Sequence, residues 1–441
     1  MSVDTIFALA TPPGRSGVAV IRISGALTGE ILNQIILGSC PAPRKAVLRV
    51  IYDATGKPID RGLVLFFPGP ASFTGEDCAE FQIHGGSAII EAVLDRLLEL
   101  GGRPAEAGEF TRRAFENGKL DLTEAEGLAD LIEAETSGQR EQALSQMTGS
   151  LKALYEGWRT QLISIMATIE GEIDFPDEDD VPDQLAQTAQ DGIEALRTQM
   201  SEHLDDDHRG EKIRSGFNIA IIGPPNAGKS SLLNALAKRD AAIVTSIPGT
   251  TRDIIEVRLV LAGFAVTLAD TAGLRVSEDI VEQEGIRRAM TRADSADLVV
   301  GVLDGSNDSK HEISRVLEKA DLLILNKVDL GLRLTLADSD KSVLSAAISK
   351  GGGVAEIEAW IGTEVGKRLS ARELPALSRV RHRRNVEQAV EALSRASQLL
   401  DQPEFAGEDL RLAIRALESL TGRVDIEDVL GEVFSRFCVG K

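Results

Sequence analysis

A chain of 441 residues has room for about two to four domains, and 43% hydrophobic with 27% charged residues is an ordinary balance for globular protein. The formal net charge of −21 makes the chain a poor non-specific nucleic-acid binder, because neutralising phosphates takes clustered lysine and arginine. Any nucleic-acid role must then rest on a partner or on a local basic patch such as "RVRHRR", Arg379 to Arg384, whose simpler reading is a solvated helix face.

No window offers about 18 uncharged apolar residues, and "MSVDTIFALATPPGR" lacks the basic start and apolar core of a signal peptide. The expectation is a cytoplasmic chain. Cys40, Cys78 and Cys438 are too few and too scattered for a disulfide framework or a structural zinc site, and the terminal "CVGK" does not suit a prenylation box.

In chain order, residues 1–120 alternate strand-like runs ("GVAVIRIS", "RGLVLFF", "CAEFQIH") with helical ones ("AIIEAVLDRLLEL", "EFTRRAFENG"), which predicts an α+β or α/β domain. Residues 121–214 read as helical, interrupted by the acidic "DFPDEDDVPDQ", an exposed connection. From "FNIAIIG" strands and helices alternate as in a doubly wound parallel sheet, giving a domain over 215–368, and 369–441 is helical again. Neither helical piece is large enough for a core of its own, so the two are expected to pack together around an inserted α/β domain; a stand-alone C-terminal helical tail is the alternative. The fold class expected is multidomain, α/β plus α+β.

"GPPNAGKS", Gly223 to Ser230, fits the phosphate-loop pattern directly after an apolar strand and before "SLLNALAKR". Backbone N–H groups there wrap phosphate oxygens, Lys229 reaches the β and γ phosphates, and Ser230 ligates Mg²⁺. "PGTTRD" supplies Thr250 and Thr251 in a loop able to close on metal and γ-phosphate, and "LADTAG" brings Asp270 for the metal and the Gly273 N–H for the γ-phosphate. "LLILNKVD" ends a strand with Asn326, Lys327 and Asp329, whose carboxylate accepts two hydrogen bonds from guanine but not from adenine. GTP is therefore the expected ligand, with Ser345, Ala346 and Ala347 of "LSAAISKGG" as a base-contacting loop.

One position breaks the pattern. After "DTAG" stands Leu274, where many GTPases carry the glutamine that orients the attacking water. Asn226, inside the phosphate loop, offers an oxygen to a monovalent cation, or else merely stabilises the loop. Downstream, Glu278, Asp279, Glu282 and Glu284 are carboxylates able to hold a water, or exposed helix residues.

Further pieces now enter: "GRSGVAVIRISG", "SFTGEDCAEFQIHGG" and "AGEFTRRAFENGKLDLTEAEGLADLI" at the front, "GPPNAGKSSLLNALAKRDAAIVTSIPGTTRD" and "DTAGLR" in the middle, and the C-terminal "RFCVGK". Together they resemble, over the whole chain, the family of bacterial tRNA uridine-34 modification GTPases called MnmE or TrmE. The resemblance implies a folate-binding N-terminal domain similar to aminomethyltransferases, a helical domain in two segments and an inserted Ras-like G domain. It also implies a homodimer through the N-terminal domains and K⁺-dependent pairing of G domains. In that family K⁺ is held by residues matching Asn226, Thr245, Ile247 and Thr250, and Mg²⁺ by those matching Ser230 and Thr251. The water is oriented by the carboxylate matching Glu282, which would answer the Leu274 question. The implied GTP contacts also take in Ala227, Gly228, Ser231, Ser246, Pro248, Gly249, Thr271 and Ala272.

The folate site carries over to Arg22, Glu80, Lys119 and Lys441; from the residues alone these are only polar groups near strand or helix ends. Cys438 matches the cysteine of the C-terminal box, where packing explains it equally. The implied chemistry adds a carboxymethylaminomethyl or aminomethyl group to C5 of the wobble uridine of certain tRNAs, with the FAD- and NADH-using partner MnmG. A 5,10-methylene-tetrahydrofolate, with 5-formyl-tetrahydrofolate as analogue, supplies the carbon, and glycine or ammonium the nitrogen. One departure is the short stretch "GSNDSKHEISRVLEKA" between Asp304 and Asp321, which touches peripheral contacts rather than hydrolysis. Two rivals remain: a regulatory GTPase switch in ribosome assembly, which the acidic balance does not favour, and an autonomous folate enzyme with an accessory GTPase.

Overall fold

The structure, a computed structural model, describes residues 4–174, 184–238, 256–270, 291–307, 313–334, 336, 340–370, 375–424, 427–435, 437 and 439–440. Two compact units result: one from Met1–Ile132, Ser145–Leu196 and Gln388–Lys441, the other from Glu133–Leu144 and Arg197–Glu387.

In the first unit, strands β1 (Ile6–Leu9), β2 (Ser16–Ser24), β3 (Val47–Tyr52), β4 (Pro58–Phe67), β5 (Cys78–Gly85) and β6 (Arg103–Pro104) form a sheet in the order β3-β4-β5-β2-β1-β6. All pairings are antiparallel except β1 with β6. Alternation along the strands sorts the side chains onto two faces. Ala19, Ile21, Ile23, Val64, Ala79, Phe81 and Ile83 point into a core closed by helices α1 (Thr28–Ile35) and α2 (Ser87–Glu99). Arg22, which is paired in register with Glu80, alternates with the residues of that core and so belongs to the opposite face. There Ile6 and Ala8 of β1 pack with Phe110 of helix α3 (Glu109–Glu116). The chain end returns to this domain, bridging Val439 to Ala107.

The helical part of this unit draws on segments far apart in sequence. Helix Ser150–Asp174 packs against Pro403–Thr421, and ion pairs Arg159–Glu418 (2.7 Å), Arg423–Glu156 (2.9 Å) and Arg411–Glu170 (3.1 Å) run along the contact.

The second unit holds a sheet of β7 (Phe217–Ile222), β8 (Glu256–Leu261), β9 (Phe264–Asp270), β10 (Leu298–Asp304), β11 (Leu322–Asn326) and β12 (Ser342–Ser345), ordered β12-β11-β10-β7-β9-β8. Apart from the exposed Asn218 in β7 and the terminal Asn326 in β11, these two strands are apolar runs because both faces are covered. Ile219, Ile221, Leu322 and Ile324 meet the helices Lys229–Ala237 and Val354–Leu369 on one side; Ala220, Ile222, Leu323 and Leu325 meet Ala293, Val316 and Ala320 on the other. The expected parallel sheet needs one correction: β8 is antiparallel to β9. The reason is local, since Ala262 (φ +50) and Gly263 (φ +84) make a two-residue turn with both φ values positive, the kind that closes a hairpin.

The basic run "RVRHRR" is corrected as well. His382 and Arg383 are buried, and Arg383 is held by Asp206 (2.6 Å), Glu211 (3.2 Å) and the Leu204 carbonyl, so this part of the run is internal structure rather than a solvated face. Among the described residues no helix is long and apolar enough to cross a membrane.

Candidate functional site: a phosphate loop and its guanine-side strands

The loop from Gly223 to Gly228 joins β7 to the helix beginning at Lys229. Its glycines are required by space. A Cβ on Gly223 (φ +151) would lie 2.1 Å from the Val302 carbonyl oxygen, and one on Gly228 (φ +110) 2.1 Å from Asn326 Nδ2. Asn226 is also left-handed at φ +59, a conformation that asparagine tolerates better than most residues, and it is exposed. Lys229 is buried; its ammonium donates to the carbonyls of Gly223 (2.8 Å) and Pro224 (2.9 Å), folding the charge back over the loop. Ser230 and Ser231 follow in the first helical turn, where backbone N–H groups have no helical acceptor and favour an anion.

Neighbouring strand ends complete the site. Ile221 of β7 pairs with Asp270, the last residue of β9, which puts Asp270 next to the strand that leads into the phosphate loop, at the carboxyl ends of parallel strands where such sheets bind ligands. The Asp270 side chain lies outside the described residues, as do Thr245, Ser246, Ile247, Pro248, Gly249, Thr250, Thr251, Thr271, Ala272, Gly273, Leu274 and Glu282.

Asn326, the last residue of β11, is buried and committed to three loops. Its Nδ2 donates to the Ala227 carbonyl (2.8 Å), its Oδ1 accepts from the Ile348 N–H (3.1 Å), and its carbonyl accepts from the Gly305 N–H (2.7 Å). Lys327 is left-handed (φ +62) and pairs with Asp304 at 2.6 Å. Burial pushes the Asp304 carboxyl up, but hydrogen bonds from Lys327 and Ser306 hold it below the usual carboxylate range. Asp329 accepts from Lys350 Nζ at 2.9 Å, which lowers its pKa and keeps the carboxylate charged. Ser345, Ala346 and Ala347 lie against this strand end: the Ala346 N–H donates to Leu325 O (2.8 Å) and its carbonyl accepts from Val328 (3.3 Å). The motif reading had not singled out Asp304, Ile348 or Lys350. Lys350 lies within the quoted "LSAAISKGG", but nothing in its spacing says that it reaches Asp329.

The polar residues expected at the N-terminal domain gather only in part. Arg22 donates to Glu80 (2.9 and 3.1 Å) and to the Gly440 carbonyl (3.5 Å), and its guanidinium lies 5.9 Å from the ring centres of both Phe73 and Phe110. Both Arg22 and Glu80 line a cavity of about 430 Å³ walled by Phe67, Phe73, Leu128 and Ile132. Lys119 is exposed and packs on Gly75 without lining the cavity; Lys441 and Cys438 lie outside the described residues. Cys78 lines it and is buried, with Sγ 3.1 Å from Thr74 Oγ1.

A phosphate loop laced by Asn326 to an Asn-Lys-x-Asp strand end defines a P-loop guanine-nucleotide-binding domain. The model of the MnmE helical domain matches residues 122–438, and that of the GTP-binding protein TrmE N-terminus matches 5–119. The chain is 62% identical to the tRNA modification GTPase MnmE of Maricaulis maris, over 99% of both chains, and 51% identical to that of Parvibaculum lavamentivorans, over 99% of this chain and 100% of the other. It is also similar to the solved G domain of the T. maritima FeoB iron transporter, at 25% identity and a TM-score of 0.27, covering 34% of this chain and 98% of that one. The chain belongs to the MnmE family of tRNA modification GTPases.

Proposed function

We propose that this GTPase works with the flavoprotein MnmG to add a carboxymethylaminomethyl or aminomethyl group to C5 of the wobble uridine of tRNA, with a tetrahydrofolate derivative supplying the carbon. Full-length likeness to relatives named as tRNA modification GTPases is the observation that supports this reading most. The division into 1–120, 121–214, 215–368 and 369–441, and the homodimer through N-terminal domains, are part of the same proposal. tRNA contact falls largely to the partner, in keeping with a net charge of −21.

The residues present fit the groups this requires. Ser230, a hard oxygen donor at the phosphate loop, suits Mg²⁺, to be joined by Thr251. The Asn226 amide oxygen, exposed and aimed by a left-handed backbone, suits K⁺, to be joined by Thr245, Ile247 and Thr250. K⁺ supplies positive charge beside the phosphates where other GTPases insert an arginine, and Glu282 orients the water that Leu274 is unable to hold. The cavity at Arg22 and Glu80 suits a flat heterocycle, because aromatic walls and a paired cation and anion match a ring with donors and acceptors on its edge. Hydrolysis then drives an order–disorder change in the segments around Thr250 and Gly273.

The test is steady-state GTP hydrolysis in matched KCl and NaCl, with Asn226→Ala and Glu282→Ala alongside. The expected result is K⁺ dependence that Asn226→Ala abolishes, and loss of hydrolysis with GTP binding retained in Glu282→Ala. Equal rates in the two salts would sink the cation role.

A further inference from the structure

The N-terminal cavity contains two groups that the Arg22–Glu80 pair does not account for. Thr111 of α3 lines it and is fully buried, yet its Oγ1 has no hydrogen-bond partner among the described residues. A helical threonine ordinarily returns its hydroxyl to the preceding turn, and a buried hydroxyl without a partner is an uncompensated cost. A ligand atom in the cavity would remove it.

The second group is Arg44. It is exposed, lines the same cavity and stands in the left-handed region at φ +60, fixed there by its N–H donating to Phe66 O at 2.8 Å. Non-glycine residues adopt that backbone at a cost, and such strain persists where surrounding structure holds it. The guanidinium donates to the Ala71 carbonyl, and no carboxylate among the described residues pairs with it. Arg22 and Glu80 cancel each other, so Arg44 is the uncompensated charge of the lining, in a chain whose net charge is −21. The mouth of this cavity favours an anion.

We propose that Thr111 and Arg44 read the two ends of one ligand, a planar heterocycle that carries a carboxylate: the Thr111 hydroxyl bonds a polar edge atom of the ring, and Arg44 pairs with the carboxylate at the mouth. This rests on the folate reading above for the ligand class, and extends it to two residues that sequence motifs did not mark. Phe67, Phe73, Leu128 and Ile132 give the ring apolar surface to pack against, and a ring seated there covers Phe73 and Ile132, which are exposed in the free protein.

The experiment is calorimetric titration of the full-length protein with 5-formyl-tetrahydrofolate and with 6-methyl-tetrahydropterin, which keeps the ring and lacks the aminobenzoyl-glutamate. Arg44→Gln is expected to weaken the folate by about tenfold or more and leave the pterin unchanged, Arg44→Lys to lose less, and Thr111→Val to weaken both ligands by a similar factor of about ten. An unchanged thermal unfolding profile in each variant reports an intact fold of the domain that holds the cavity. Wild-type folate affinity in Arg44→Gln, or equal losses for both ligands in that variant, overturns the role of Arg44; unchanged pterin affinity in Thr111→Val overturns that of Thr111. If the wild-type protein binds neither ligand, the folate reading itself fails, an outcome distinct from the others.

Discussion

Asn326 Nδ2 donates to the Ala227 carbonyl at 2.8 Å, so the end of β11 holds the phosphate loop in place from within the protein. The same amide accepts from Ile348, which ties the Gly223–Gly228 loop to the segment that follows Ser345, Ala346 and Ala347. Replacing it should uncouple the two. Asn326→Ala leaves the Ala227 carbonyl and the Ile348 N–H buried without partners, at about 2–4 kcal/mol for the pair. Thermal unfolding should show the loss in the nucleotide-free protein, and GTP affinity should fall at least tenfold; a variant with unchanged unfolding and affinity would refute the lacing role.

Gly228 meets the same side chain from the other direction. An alanine Cβ there would sit 2.1 Å from Asn326 Nδ2 on a backbone at φ +110 that alanine resists. Gly228→Ala should abolish GTP binding, read by fluorescence of a labelled nucleotide. The helix Pro403–Thr421, which belongs to the other compact unit, should keep its protection in hydrogen exchange. Loss of protection there would mean global misfolding rather than a lost cradle.

The phosphate loop, the Asn-Lys-x-Asp strand end and the alternation of strand and helix were legible in sequence because each depends on near-neighbour spacing. A glycine must sit where φ is positive, and an apolar run must sit where both sheet faces are covered. What escaped depends on distant pairing. Arg22 meets Glu80 across 58 residues through strand register, Arg383 meets Asp206 across 177 residues, and Lys350 reaches Asp329 only because β12 returns beside β11. The hairpin of β8 and β9 was readable in principle from "LAGF", but Ala262 is an unusual residue at a positive φ, so the turn carried a weak signal.

Lys350 lowers the pKa of Asp329 and favours its charged state, the state that the proposed pair of hydrogen bonds from guanine requires. Asp329→Asn replaces an acceptor pair by a donor and an acceptor, which suits xanthine better. Hydrolysis assays should show GTP turnover falling by about a hundredfold and XTP turnover rising above it. Lys350→Ala should raise the KM for GTP without changing which base is preferred; a change of base preference would assign Lys350 a direct role in reading it.

Glu109 opens α3, the helix that carries Phe110 and Thr111, and binds Arg103 (2.6 Å) and Arg113 (3.0 Å). Burial alone would push its carboxyl up; hydrogen bonds from Arg103, the Glu106 N–H and Arg113 override that and push it down from 4.5 to about 2. A carboxyl lower in the folded than in the unfolded chain stabilises the fold above its unfolded pKa, and that contribution is lost as pH falls from about 4.5 toward about 2. After allowance for solvent screening the contribution at pH 7 is about 1–2 kcal/mol. Denaturant unfolding of the wild type and Glu109→Gln should therefore differ by that amount at neutral pH, and the difference should shrink steadily below pH about 4.5 as the wild-type carboxylate takes up its proton. A gap that stays constant between pH 7 and pH 3 would mean that the glutamine variant loses packing rather than charge, and that the ion pairs to Arg103 and Arg113 do not anchor the helix bearing Thr111.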